Sequence, residues 1–310
     1  MRTAIAASRI RSLAEAAGLD DVASVAATPV PADPDQLSRL LSCYPPELSY
    51  IHRRVADRLD PARLLPGIRT VIVACRSYGS PHPGIEALPP GAGFVSRFAW
   101  CPDYHGPMQE SMNALAEAVA AETGCASRGY SDTGPILEKA WAARAGLGFV
   151  GRNGLLVHPR LGSFVFLGVV LTAAEVLPDE GPRPPLPGCG FCYACLQACP
   201  TGALRTPGRV DVRRCLAHLT VTFRDPVPHG IPLAGHLYGC DRCQDVCPYV
   251  RKAFLPDHPC FRPLPGLPFL DIREVLRWDE SDFQARLGDT PVRRRGLAAF
   301  RQTAERLLEG

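Results

Sequence analysis

Apolar residues recur at helical spacing over residues 5–17, with Arg and Glu between them, and the pattern stops at Gly18. This predicts a soluble amphipathic helix ended by a glycine. After a proline-punctuated segment at 29–34, a second helical pattern starts at Leu37, resumes past Pro45-Pro46 through Tyr50, Val55 and Leu59, and ends near Asp60-Pro61. Val71-Ile72-Val73-Ala74-Cys75 follows a Pro66-Gly67 turn and predicts a buried strand. Residues 79–93, rich in proline and glycine, predict an irregular loop, and Phe94-Val95-Ser96-Arg97-Phe98 a further strand. Met112, Leu115, Ala116 and Val119 share one face of a helix predicted over 109–123, closed by Gly124; another helix is predicted over 136–145. Residues 164–172 are apolar at successive positions, as a strand covered on both faces requires. A proline-rich stretch at 177–187 marks the clearest internal boundary. The order of elements predicts an α/β (α+β) fold, followed by a part of different character.

That part is set apart by cysteine. The chain has 310 residues and 13 cysteines, and seven of these fall in two proline-terminated runs. Cys189, Cys192, Cys195 and Cys199-Pro200 have the C-x2-C-x2-C-x3-C-P spacing of bacterial double-cluster iron-sulfur proteins, in which the fourth thiolate serves the other cluster. On that rule Cys247, before Pro248, completes the set of Cys189, Cys192 and Cys195. Cys199 then joins Cys240 and Cys243. A symmetric arrangement needs a cysteine at position 237, which is Leu237, so Cys215 is the candidate for the fourth place. Paired C-x2-C units also serve structural zinc, but zinc does not explain the third and fourth cysteines of the first run. Cys43, Cys75, Cys101, Cys125 and Cys260 are left over. Cysteine use of this kind, with no signal peptide, predicts a reducing cytoplasm. No apolar stretch reaches membrane-spanning length. A net charge of +3, from 34 basic and 31 acidic residues, names no partner.

Two further features carry candidate chemistry. Gly146, Gly148, Gly151 and Gly154 let the backbone approach a flat ligand, although they do not form a dinucleotide fingerprint. Asp132, in Ser131-Asp132-Thr133-Gly134-Pro135, stands just before a predicted helix, where a helix cap is the ordinary role of an aspartate.

The chain resembles the epoxyqueuosine reductase family. The resemblance rests on an ordered series of motifs: Leu48-Ser49-Tyr50; Arg58-Leu59-Asp60-Pro61; Arg97-Phe98-Ala99-Trp100-Cys101-Pro102-Asp103-Tyr104-His105; Asp132-Thr133-Gly134-Pro135-Ile136-Leu137-Glu138; residues 145–153, ending in Arg152-Asn153; Leu171-Thr172; both cysteine runs with Tyr238-Gly239-Cys240-Asp241; Trp278; and residues 290–295. It implies a cobalamin-binding α/β core at 1–177 and a ferredoxin-like module with two [4Fe-4S] clusters at 178–260. A C-terminal helical segment at 261–310 is expected to pack on the core. It further implies Asp132 as proton donor, with a carboxyl raised by a closed, apolar site. Arg58, Cys101, Asp132, Arg152, Asn153, Thr220 and Asp241 are the implied corrinoid-site residues, and Tyr104 and His105 are weaker candidates. The implied reaction is reduction of epoxyqueuosine to queuosine in tRNA, fed by a donor of ferredoxin or flavodoxin type.

Many members of that family carry a helical-repeat extension, and the resemblance here is to a short form. Arg293-Arg294-Arg295 and Arg301 are basic enough to touch phosphates, yet such a run is ordinarily a solvated face. Two alternatives stand beside the tRNA reading. One is a related corrinoid iron-sulfur reductase acting on a small molecule, as in reductive dehalogenases; the other is an electron carrier without substrate chemistry.

Overall fold

The computed structural model describes residues 3–28, 48, 53–178, 186–223 and 225–309. The helical pattern expected from Leu37, the proline-punctuated segment at 29–34 and most of the proline-rich boundary lie outside these residues. The strands that matter below are Ala4–Ala6 (β1), Asp21–Ala26 (β2), Thr70–Ser77 (β3), Ala92–Val95 (β4), Ser127–Ser131 (β5), Val165–Thr172 (β6), Glu175–Leu177 (β7), His236–Tyr238 (β8) and Phe269–Asp271 (β9). The helices that matter below are Ala7–Ala16 (α1), Val55–Leu59 (α2), His105–Thr123 (α3), Glu138–Arg144 (α4), Glu280–Leu287 (α5) and Leu297–Glu309 (α6). Among the described residues no helix is long and apolar enough to cross a membrane.

The chain divides into two compact units. The first comprises Met1–Ser77, His105–Val150 and Val165–Gly188; the second comprises Tyr78–Tyr104, Gly151–Phe164 and Cys189–Gly310. This interleaving differs from the contiguous 1–177 core expected from sequence.

In the first unit the sheet order is β2-β3-β6-β5, with every neighbour antiparallel. The two apolar runs seen in sequence are its inner strands: Val71 pairs with Leu171 and Val73 with Val169, and all four are fully buried. The first helix starts later than expected, at Ala7, because Ala4–Ala6 pairs in parallel with β7. Gly18 ends its turn at φ 75°. Helix α3 packs against β5 and β6 so closely that a Cβ at Gly168 would run into Met112 Sδ, and one at Gly129 would meet the Met112 backbone. That close approach fixes the line of α3, which carries His105 at its first residue, and of β5, which ends immediately before Asp132.

In the second unit β4 is the middle strand, parallel to β8 and antiparallel to β9. The strand expected over 94–98 therefore runs instead from Ala92 to Val95 and turns away at Arg97–Ala99. Phe94, Trp100, Tyr238, Trp278, Phe283 and Phe300 share one apolar core, with Trp278 and Phe300 stacked at 6.4 Å. The C-terminal segment expected to pack on the first core thus belongs to the second unit. The reason is aromatic burial: α5 and α6 supply Phe283 and Phe300 to this sheet.

His236 lies in this core at 1% exposure, its Nδ1 3.0 Å from the Leu233 carbonyl and its ring edge-on to Phe94. Burial holds its imidazole down at about 4, from an ordinary 6.5. The folded protein binds fewer protons than the unfolded chain between those values. The stability due to the neutral ring is therefore intact above pH 6.5 and is lost as pH falls toward 4, by up to about 3 kcal/mol. Denaturant midpoints at pH 7.5 and pH 5.0 should differ more for the wild type than for His236→Gln; equal differences would remove His236 from the account.

Candidate functional site

The first unit presents an acid loop. Strand β5 ends at Ser131, whose Oγ donates to the Leu167 carbonyl at 3.3 Å, and Thr133 N–H donates back to the Ser131 carbonyl at 2.6 Å. Between them Asp132 takes φ 55°, in the left-handed region that aspartate tolerates better than most non-glycine residues. Its N–H donates to Glu138 Oε1 at 2.7 Å, and its Oδ2 lies 2.7 Å from His105 Nε2. The helix-cap reading of Asp132 fails on geometry. Helix α4 begins six residues later, and its N-cap is Leu137, with no side-chain cap bond.

Exposure separates the two carboxyls. The Asp132 side chain is 50% exposed, whereas Glu138 is partly buried. Desolvation acts on its neighbour Glu138. Burial first, and then the Asp132 charge, push the Glu138 carboxyl up to about 8, against the Asp132 N–H and the charges of Lys139 and Arg58. Arg58, on α2, is thereby an electrostatic neighbour of the acid loop. Sequence reasoning did not single out Glu138, because an acidic first residue of a helix is an ordinary choice. The one signal was its place six residues after Asp132 in the same motif.

The second unit presents the thiols on short turns. Cys192 N–H closes a turn on the Cys189 carbonyl at 2.9 Å, Ala194–Gln197 carries Cys195, Arg242–Asp245 carries Cys243, and Cys247 precedes the turn Pro248–Arg251. The described cysteines are all free. Their charges act mainly within two groups, Cys189, Cys192 and Cys195 on one side and Cys199, Cys215, Cys240 and Cys243 on the other, with Cys195 also felt at Cys243. The Cys195 thiol is pushed up by burial and by Cys189 and Cys192. Cys243 is pushed up by burial and then by Cys240 and Cys215, and Cys240 is raised in turn with contributions from Cys215 and Cys199. Cys199 is the exception: burial raises it, but N–H groups of Leu204, Thr201 and Ala203 together bring it below its ordinary value.

Among the described residues no three His, Cys, Asp or Glu side chains close to single-ion spacing. Thiols carried on short turns with the spacing of the first run suit clusters, which spread their thiolates over several irons. Cys215 is an electrostatic neighbour of Cys199, Cys240 and Cys243.

The remaining candidates divide by what their polar atoms touch. Arg152 N–H donates to Cys189 Sγ at 3.4 Å, its Nη1 donates to the Cys192 carbonyl at 2.7 Å, and its guanidinium lies 4.0 Å from the Tyr193 ring. It therefore braces the first cysteine run. Asn153 Oδ1 accepts from Leu155 N–H at 3.2 Å. Thr220 Oγ1 donates to the Leu216 carbonyl at 2.6 Å and accepts from Gly239 N–H at 2.8 Å. Asp241, 1% exposed, accepts from Ser96 Oγ at 2.5 Å and Arg97 N–H at 2.8 Å. Cys101 is buried, and burial pushes its thiol up to about 12. The polar groups of Asn153, Thr220 and Asp241 thus serve the interior of the second unit, whereas Asp132 keeps half its side-chain surface exposed.

Two family models match. One, described as "4Fe-4S double cluster binding domain", covers residues 188–250; the other, described as "Epoxyqueuosine reductase QueG, DUF1730", covers residues 58–133. The chain is 36% identical to the epoxyqueuosine reductase of Pseudomonas aeruginosa over 82% of its own length and 71% of that protein's. It is 35% identical to that of Gloeobacter violaceus over 98% of both chains. Among solved structures it is similar to the epoxyqueuosine reductase of Bacillus subtilis, determined with its catalytic aspartate loop swung out of the active site: TM-score 0.84 and 27% identity over 97% of this chain and 80% of that one. A structure of an epoxyqueuosine reductase with an epoxyqueuosine-modified tRNA-Tyr stem loop superposes with TM-score 0.82, at the same identity and coverage. Matches of this identity over this share of both chains place the protein in the epoxyqueuosine reductase family of oxidoreductases, with a double [4Fe-4S] domain in its second half.

Proposed function

We propose that this protein reduces epoxyqueuosine in tRNA to queuosine, with Asp132 as the proton donor. The observation that carries the reading is the half-exposed acid, held in the left-handed region between His105 and Glu138, in a chain that also carries a double [4Fe-4S] domain. Conversion of an epoxide to an alkene consumes two electrons and two protons and releases the oxygen as water. Cobalamin, when bound, supplies a low-valent cobalt as the immediate source of the electron pair, and the clusters deliver electrons singly. Asp132 places a proton at the departing oxygen, and His105, 2.7 Å from Oδ2, restores that proton and orients the carboxyl. The reductase crystallised with its modified stem loop supports tRNA as the substrate carrier, and the loop that swings in the Bacillus relative supports mobility for the loop bearing Asp132. A one-electron donor of ferredoxin or flavodoxin type supplies the clusters, and the thiol-rich composition and tRNA substrate point to the cytoplasm.

Anaerobic reconstitution with iron, sulfide and cobalamin, followed by assay on epoxyqueuosine-containing tRNA, tests the reading. Formation of queuosine is the expected result. Protein loaded with all cofactors that leaves the epoxide intact would sink it. The ligand assignment has its own check. Cys215→Ser should lose one cluster and keep the other, so that iron per chain falls by about half. Unchanged iron content would strike Cys215 from the set.

A further inference from the structure

Two contacts from outside the loop hold Asp132 in place. A non-glycine residue in the left-handed region costs on the order of 1 kcal/mol, and persists where its surroundings over-determine it. His105 meets the side chain, and Glu138 Oε1 accepts the backbone N–H at 2.7 Å. The acceptor is itself anchored, since Glu138 is the first residue of α4, whose Trp141 and Ala142 are 1% and 0% exposed. Gly134 packs closely on the preceding strand, where an added Cβ would lie 2.8 Å from the Tyr130 ring.

We propose that Glu138 is the positioning residue of the acid: its carboxyl latches the Asp132 backbone and so fixes where the Asp132 side chain stands. This rests on Asp132 being the proton donor. Glu138 itself transfers no proton to substrate. Its acceptor oxygen serves whether the carboxyl is neutral or charged, and with the group pushed up to about 8 the neutral form prevails near pH 7. A glutamine keeps that oxygen, length and neutrality, whereas alanine removes the oxygen and aspartate draws it back by one methylene.

Hydrogen–deuterium exchange over the peptide spanning residues 127–137, in cluster-loaded protein without substrate, reads the latch directly. Exchange in this peptide should rise in Glu138→Ala and Glu138→Asp and stay as in the wild type in Glu138→Gln. In turnover, Glu138→Gln should lie within a few-fold of the wild type. The other two should lose about 10²-fold in kcat, the order of loss expected when a reacting group is misplaced by about 1 Å. Near-UV circular dichroism and cluster absorbance establish that each variant is folded. Unchanged exchange in Glu138→Ala would overturn the latch. So would Glu138→Gln failing in turnover with the loop still protected, because that result would make Glu138 a proton donor. The exchange readout needs no substrate, so it decides the latch even if Asp132 proves not to be the acid.

Discussion

Asp132→Asn should lower kcat on epoxyqueuosine-containing tRNA by about 10²- to 10⁴-fold, the range ordinarily supplied by a positioned general acid. Both clusters should remain. Asparagine is a demanding test because it preserves nearly everything else. It has the same shape, it tolerates the left-handed φ of 55° as aspartate does, its N–H can still donate to Glu138, and its amide can still meet His105. What it lacks is a proton to give. Single-turnover kinetics with pre-reduced protein separate this step from electron delivery. A variant that reduces the epoxide at the wild-type rate would leave Asp132 a loop residue and transfer the question to His105 or Glu138.

The second large effect concerns folding. Arg97→Met should destabilise the second unit by about 3–5 kcal/mol and lower its thermal midpoint on the order of 10 °C. Arg97 is 7% exposed. Its Nη1 lies 2.6 Å from Asp245 Oδ1 and 3.5 Å from Asp241 Oδ2, its Nη2 donates to the His82 carbonyl at 3.2 Å, and its guanidinium lies 4.9 Å from the Trp100 ring and 4.8 Å from that of Phe164. Methionine replaces much of the apolar contact but none of the charge. Two buried carboxylates then lack their counter-ion, and burial already pushes both of them up, Asp245 to about 6. Thermal unfolding followed by circular dichroism measures the loss; a midpoint within 2–3 °C of the wild type would show the network to be nearly neutral.

What the sequence disclosed follows from the range of the interactions concerned. Val71–Cys75 and residues 164–172 were legible as inner strands because burial on both faces leaves an unbroken apolar run. The double-cluster domain was legible because thiolates on short turns need fixed spacing. The pairing of Ala4–Ala6 with Glu175–Leu177 was not legible, since a three-residue strand carries too little pattern to name a partner so distant along the chain. Asp132 looked locally like a helix cap, and only the placement of Glu138 and His105, brought in by α4 and α3, shows it held as an exposed acid. Exposure itself is a tertiary property, and the raised carboxyl of Glu138 was not legible in the sequence.

The interleaving of the two units bears on how the protein is made. Strand β3 waits for β6, which leaves the ribosome roughly ninety residues later, so the first sheet cannot close until most of the chain has been synthesised. Strand β4 waits longer still, for β8 and β9, and a fragment starting at Gly188 would hold all eight cluster cysteines but lack the middle strand of their own unit. Metal loading is therefore a late event in the life of the chain, and the cysteine half is not a module that can be cut out and expected to fold.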